Sequence, residues 1–474
     1  MSRKLCVLAI FAITWGFYSW TARSDGKPFI FQSQSVSYYN LMIDGFLQGQ
    51  LSLPMDPNPA LLKLADPYDP DQNAKYRVHD VSLYRGKFYL YFGATPAVTL
   101  MLPFRLITHL RMPENLAVAL FIFFGLVASY LGFQFIVQRF APNTPKYFSF
   151  IAIIVLGICN FAPFILRRPA FYELAIAGGY FFFWAAVYFL LTGLFGQQTS
   201  ALRLAAASVC LGLTLASRPN YAIAAVVVLS ATGTALLWNG KAQSQLKPIL
   251  AICIPFGCVM ATLLMYNYLR FDHIFEFGQR FQLENFRMAK TFSPSYFAHN
   301  FRAYMFSAAR IDRHFPFFHL LKQRAQIYTN GYGEEVGGML ATAPITSLVL
   351  LLIPLWYLRI KDRISRPLLI VATLFALNGF LMVVFLSFNG GLTERYVLDF
   401  LPSFLFSAIL VWIILNQALR MPVHRAINVF LGLLIVFQVT LNLAVSLTGY
   451  WDTFHEENPV AYERIRSRFS FIEP

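Results

Sequence analysis

The sequence predicts an all-α polytopic integral membrane protein with about eleven transmembrane helices and two large polar loops on one side of the bilayer. Three observations carry that prediction. Hydrophobic residues make up 57% of the 474-residue chain and charged residues only 13%, which is far more apolar than a soluble globular domain. Apolar runs close to the ~20 residues needed to cross a bilayer recur along the chain. The basic residues between those runs gather on alternate sides.

The runs lie at residues 5–21, 115–138, 147–166, 172–195, 203–217, 219–238, 248–268, 340–358, 367–387, 398–417 and 426–447. With the amino-terminal MSRK on the cytoplasmic side, the cytoplasmic segments hold Arg3, Lys4, Arg139, Lys146, Arg203, Lys241, Lys247, Arg359, Lys361, Arg363, Arg366, Arg420 and Arg425 against Asp362 alone. That asymmetry is the positive-inside pattern, so the net charge of +15 reports topology and not a nucleic-acid partner. All five cysteines sit in apolar runs, which leaves no disulfide framework and no cysteine metal cluster.

The first span, a basic MSRK and a short apolar core ending in SWTA, also fits a cleaved signal peptide; both readings put residue 23 onward outside. Next, VSYYNLMIDGFLQGQLSL has helical spacing but is too short and polar to span, and predicts a helix lying on the membrane surface. The segment 54–73 carries Pro54, Pro57, Pro59, Pro67 and Pro70 and reads as an irregular cover. The alternating VSLY and KFYLYF around Arg85-Gly86 predict a short β-hairpin, and TPAVTLMLPFRLITHL a Pro-initiated amphipathic helix leading to the next span. Pro219 in LASRPNY breaks two half-length helices at the outer surface. The second outer loop, residues 269–339, mixes Phe and Tyr with Arg and predicts a surface-lying amphipathic segment, and an outer tail begins at Gly449. The chain therefore divides into residues 1–268 with the first outer loop 22–114, the second loop 269–339, and helices and tail at 340–474. No internal repeat appears.

The order of span, surface helix, loop, surface helix and span resembles the GT-C superfamily of polytopic glycosyltransferases, and in particular bacterial membrane proteins of the glycosyltransferase family 39 type. The segments that carry the resemblance are YYNLMIDGFLQGQL, HDVSLYRGKFYLYFGATPAVTLMLP, RRPAFYELAIAGGYFFF, LASRPNY and LTERYVLDFLP. The resemblance implies an inverting hexosyl or pentosyl transfer from a polyprenyl-phosphate sugar to a glycan, lipid or protein acceptor. It implies a catalytic acid in the first outer loop, on the extracytoplasmic face of a bacterial inner membrane. Many such enzymes place Asp or Asp-Glu at the exit of the first span, just before the surface helix; here the equivalent ground reads FQSQSVSYYN and has no acid.

Such a transfer needs a carboxylate to take the acceptor proton and cations to hold the phosphate. Asp44, Asp80 and Glu173 are the candidate acids, all at the outer surface. Each also has a plain structural reading: the polar face of a surface helix for Asp44, a turn acceptor paired with His79 for Asp80, and a favourable helix amino terminus for Glu173. His79, Tyr84 and Lys87 in the hairpin segment are candidate substrate contacts. Arg suits phosphate, which selects Arg167, Arg168, Arg218, Arg280 and Arg395, each of which could equally be an interfacial anchor. Arg395 stands out, with Glu394 and Tyr396 beside it at the start of a span, and is expected to hold the donor phosphate. The second loop is expected to close over bound donor, with Glu276 and Arg280 near the pocket. No GxSxG or HExxH motif is present. No cofactor is singled out; a divalent cation at His79-Asp80 is the one candidate, and two adjacent residues do not define a site. The rival readings are a transporter or flippase of lipid-linked glycans and a non-catalytic scaffold for envelope assembly. Spans that are apolar at their centres disfavour the first.

Overall fold

The computed structural model describes the chain apart from residues 1–2, 25, 27, 32–36, 239–241, 285–290, 328–331, 358–364, 420–421, 449–451 and 472–474, together with the side chains of 237–238 and 242–245. Of the charges that set the expected topology, Lys241, Arg359, Lys361, Asp362, Arg363 and Arg420 lie outside the described residues.

Among the described residues nine helices are long and apolar enough to cross a membrane: Arg3–Thr21, Glu114–Phe140, Phe148–Leu166, Phe171–Leu194, Pro219–Leu236, Leu246–Phe271, Arg366–Ser387, Glu394–Ala418 and Val423–Ser446. The chain is a mostly helical polytopic membrane protein. Two of the expected spans are shorter elements. Ala201–Ser217 has 17 residues and stops where Pro219 forces Arg218 into extended backbone, at φ −151° and ψ 101°, because the ring of a proline excludes the helical region from the residue before it. The 340–358 run becomes the 3₁₀ coil Pro344–Leu351 and the α-helix Leu352–Tyr357. The larger rise of a 3₁₀ turn stretches these residues to about 25 Å, against about 21 Å for the same length of α-helix.

Bonds at the helix ends define two faces. On one, Asn115 Nδ2 donates to Ala22 O at 3.2 Å, Arg270 Nη1 to Leu90 O at 2.8 Å, and Asn300 Nδ2 to Ser387 O at 3.3 Å. On the other, Arg3 Nη2 donates to Gln134 Oε1 at 2.7 Å and Arg139 Nε to Phe195 O at 3.1 Å. All the larger polar loops sit on the first face. Between the faces Glu394–Ala418 is the central helix, with most of its length buried, whereas few residues of Leu246–Phe271 are buried. Trp184 stacks on Phe375 at 5.5 Å and tilts against Phe406 at 5.0 Å. Gly178 permits the close approach expected from its small neighbours: a Cβ there would lie 2.7 Å from Ser217 Oγ, a separation only a hydrogen side chain tolerates.

The first polar loop holds the expected elements. A surface helix runs Tyr38–Leu47, capped by Ser37, whose hydroxyl accepts from Asn40 N. β1 (Ser82–Tyr84) pairs antiparallel with β2 (Lys87–Tyr89), Leu83 opposite Phe88. Arg85 and Gly86 both have positive φ, 47° and 71°, the two-residue turn whose twist matches a hairpin. The Pro-initiated helix consists of a π turn at Ala97–Met101 and an α-helix at Leu102–Thr108. The second loop differs from its expectation. After the helix Phe297–Phe306 it forms a three-stranded antiparallel sheet in the order β3 (Ala309–Ile311), β4 (Phe318–Arg324), β5 (Gly333–Val336). Six residues separate β3 from β4 and eight separate β4 from β5.

Candidate active site

The hairpin segment is held from outside by the second loop. Asp80 N donates to Leu283 O at 3.3 Å and Leu283 N to Val81 O at 2.9 Å, Ser82 bridges to Gln282, and Arg77 Nη1 donates to Glu284 O at 3.3 Å. This graft brings Gln282 and Glu284 against His79 and Asp80. Gln282 Nε2 donates to Asp80 Oδ1 at 2.9 Å and also to Glu284 Oε1. The His79 ring stands between the two carboxylates, Nε2 at 3.1 Å from Asp80 Oδ2 and Nδ1 at 3.7 Å from Glu284 Oε2. Both acids are buried and His79 is open to solvent. Asp80 has φ +61°, a left-handed conformation that Asp and Asn adopt more readily than other side chains. Tyr38, on the surface helix, donates its hydroxyl to His79 O at 2.6 Å. Burial first, and then Asp80, Glu114 and Glu284, push that hydroxyl up to about 12.

A second polar cluster centres on Arg395. Its guanidinium lies 3.4 Å from Glu173 Oε1 and 3.1 Å from Glu334 Oε1, and Nε donates to Thr393 Oγ1 at 3.2 Å. The cation also sits 4.6 Å over the Tyr172 ring. An aromatic strip joins the clusters. Tyr38 meets Phe171 at 4.8 Å, Phe171 meets Phe92 at 5.6 Å, Phe92 meets Tyr172 at 5.4 Å, and Tyr91 meets Phe92 at 4.1 Å. Tyr91 feels both ends: burial raises its hydroxyl well above the ordinary range, Asp80, Glu284 and Tyr396 add to the rise, and Arg395 opposes it. Aromatic faces flanked by carboxylates at one end and a guanidinium at the other suit a sugar ring carrying a charged group.

The other expected site residues separate by their contacts. Asp44 Oδ2 is taken by Arg111 Nη2 at 2.6 Å. Glu173, besides meeting Arg395, accepts from Ala170 N at 3.3 Å at the start of its own helix. Arg167 is buried against Glu335 at 2.9 Å and lies 3.9 Å over Phe164. Arg168 stands 5.3 Å over Tyr172, beside the second cluster. Arg218 Nε donates to Asp399 Oδ2 at 2.7 Å, with its guanidinium 4.6 Å over Tyr396. Glu394 is buried and accepts from Gly337 N at 2.9 Å. Tyr84 donates to Asp272 Oδ2 at 2.8 Å, Glu276 accepts from Gly278 N at 2.7 Å, and Lys87 and Arg280 are exposed.

The structure therefore gathers His79 and Asp80 into one cluster and Glu173 with Arg395 into a second. Gln282, Glu284, Glu334, Tyr38, Tyr91 and Tyr172 join them without having been singled out in the sequence. Glu284 stands in QLENF, eight residues beyond Glu276; the signal that could have marked it is a lone acid in an aromatic-rich stretch. No family model, curated protein or solved structure matches the chain.

Proposed function

We propose that the protein is a membrane glycosyltransferase of the GT-C type, moving a sugar from a polyprenyl-phosphate donor to an acceptor hydroxyl at the loop-bearing face. The observation that carries this reading is the state of Asp80. A base needs an available lone pair and is weakened by a cation bound to its carboxylate, and two of the three candidate acids are each paired with a guanidinium: Asp44 with Arg111 and Glu173 with Arg395. Asp80 is buried, is approached by Gln282 and His79, and has one oxygen, Oδ2, that accepts no hydrogen bond among the described residues.

The acceptor O–H gives its proton to Asp80 and its oxygen bonds to the anomeric carbon. The bond from that carbon to the donor phosphate breaks, and the phosphate leaves with the electron pair, so the centre inverts. Arg395, stacked on Tyr172 and next to Arg168, is the group offered to the phosphate, with Tyr91 and Phe92 under the sugar. The distribution of basic residues supports an amino terminus in the cytoplasm and this face outside a bacterial inner membrane. A donor whose lipid tail stays in the bilayer reaches this face sideways, beside the surface helix Tyr38–Leu47.

The test is transfer or hydrolysis of labelled sugar from a panel of polyprenyl-phosphate donors by the purified protein. Turnover supports the reading. Donor binding without turnover fits a flippase or a scaffold and overturns it.

A further inference from the structure

We infer that His79, Asp80 and Glu284 form a binding site for one divalent transition-metal ion of the Mn²⁺ or Zn²⁺ class, which fastens the second outer loop to the hairpin segment. The inference rests on the placement of these side chains and not on the transferase reading.

One imidazole nitrogen and one carboxylate oxygen from each acid can be chosen so that all lie within 4.8 Å of one another. That spacing suits donors around a single ion, whose bonds to nitrogen and oxygen are about 2.0–2.2 Å. A mixed set suits Zn²⁺ through its imidazole and Mn²⁺ through its carboxylates, rather than the softer ions that thiolates select.

The second observation is Asp80 Oδ2. It is buried, takes no hydrogen bond among the described residues, and faces His79 Nε2 at 3.1 Å. A buried anionic oxygen in that state is costly, and an ion between Asp80 and His79 would remove the cost. The Asp80 and Glu284 side chains are only 4% and 8% exposed and share Gln282 as donor, so the two acids repel at close range, which a cation reverses. His79 is 55% exposed and gives an ion a path from solvent.

The neighbours support ligands held in place. Tyr38 fixes the His79 carbonyl and Arg77 the Glu284 carbonyl, and the bonds between Asp80, Val81 and Leu283 hold the two backbones together. The three ligands come from segments about two hundred residues apart, so an ion here would be a clasp between the loops.

The experiment is Mn²⁺ titration of the full-length protein in detergent, read by the electron paramagnetic resonance signal of free Mn²⁺, with unfolding temperature measured in chelator for each variant. The inference predicts one Mn²⁺ per chain, displaced by Zn²⁺, with affinity weakened at least about tenfold in His79→Ala and in Glu284→Gln. His79 is exposed enough for its truncation to leave the fold intact. Asp312→Asn, which breaks the separate exposed Asp312–His314 pair at 2.9 Å, leaves binding unchanged. Absence of stoichiometric Mn²⁺, or equal affinity in wild type, His79→Ala and Glu284→Gln, overturns the site and leaves His79 as a hydrogen-bonded bridge between two acids.

Discussion

Arg111 Nη2 meets Asp44 Oδ2 at 2.6 Å, tying the Tyr38–Leu47 surface helix to the segment that follows the Leu102–Thr108 helix. Asp44 is the acid nearest the position where related chemistry would put a catalytic one, yet its charge is used to join these surface elements. Arg111 is more than a third exposed, so the pair is worth less than about 1 kcal/mol. Asp44→Asn is therefore expected to keep most of the wild-type turnover and to lower the unfolding temperature only slightly. Thermal unfolding and a donor assay on the same preparation check this; loss of turnover in a folded Asp44→Asn protein would restore Asp44 as the base.

Arg395 answers two buried acids at once, Glu173 at 3.4 Å and Glu334 at 3.1 Å. Replacing it with Gln removes the guanidinium that both acids face, and the expected loss is about 3–5 kcal/mol. Adding Glu173→Gln should recover part of that loss, giving a coupling of about 0.5–3 kcal/mol in a double-mutant cycle. Additive effects would mean the three groups do not act as a unit.

Gly93 lies where the hairpin segment touches the end of the Ala201–Ser217 helix. A Cβ at this position would be 2.1 Å from Ala216 O and 2.5 Å from Ser217 O, while Tyr39 donates its hydroxyl to Gly93 O at 3.1 Å. Both neighbours are backbone and cannot swing aside. Gly93→Ala is expected to cost at least about 1–3 kcal/mol and to open the first loop to protease, as limited digestion would show. An unchanged digestion pattern would contradict the contact.

His319 gives the second loop a dependence on pH. It sits on β4 opposite Arg310, and burial, then Arg310, hold its pKa below the ordinary 6.5, against the smaller opposing effect of Asp312, Glu335 and Asp452. The folded state then binds fewer protons than the unfolded one, so stability is full above about pH 6.5 and falls as the pH drops below that value toward the lowered folded pKa. Hydrogen exchange in β4 should be slower at pH 8 than at pH 5.5 after correction for intrinsic rates, and His319→Gln should flatten the difference. A wild-type protein as protected at pH 5.5 as at pH 8 would refute this.

The spans, the surface helix and the hairpin were legible because each is written in a local period: runs of apolar residues, the 3.6 spacing of Tyr38, Met42 and Phe46, and the alternation around Arg85-Gly86. Pro219 marked the end of the Ala201–Ser217 helix for the same local reason. The sheet of the second loop was missed although Asn330-Gly331, a turn signal, stands between Phe318–Arg324 and Gly333–Val336, because FHLLKQR does not alternate apolar and polar residues. The site was half legible. Asp80, His79, Glu173 and Arg395 stand out as polar groups in apolar surroundings, but Asp80 reaches Gln282 and Glu284 about two hundred residues away, and Arg395 reaches back to Glu334. Charge alone could not show that Arg167, Arg218 and Asp44 are engaged by partners remote in sequence.

The central claim is that Asp80 governs proton removal in a sugar transfer, and Asp80→Asn tests it most directly. Asn is among the residues that tolerate the φ of +61° found there and keeps the side-chain volume, so the variant is expected to keep the fold, which thermal unfolding in chelator checks. Turnover of a labelled polyprenyl-phosphate sugar by wild type, reduced at least about 100-fold in Asp80→Asn and largely retained in Asp44→Asn, is the predicted result. Full turnover in folded Asp80→Asn, or none by wild type with any donor in the panel, would contradict it.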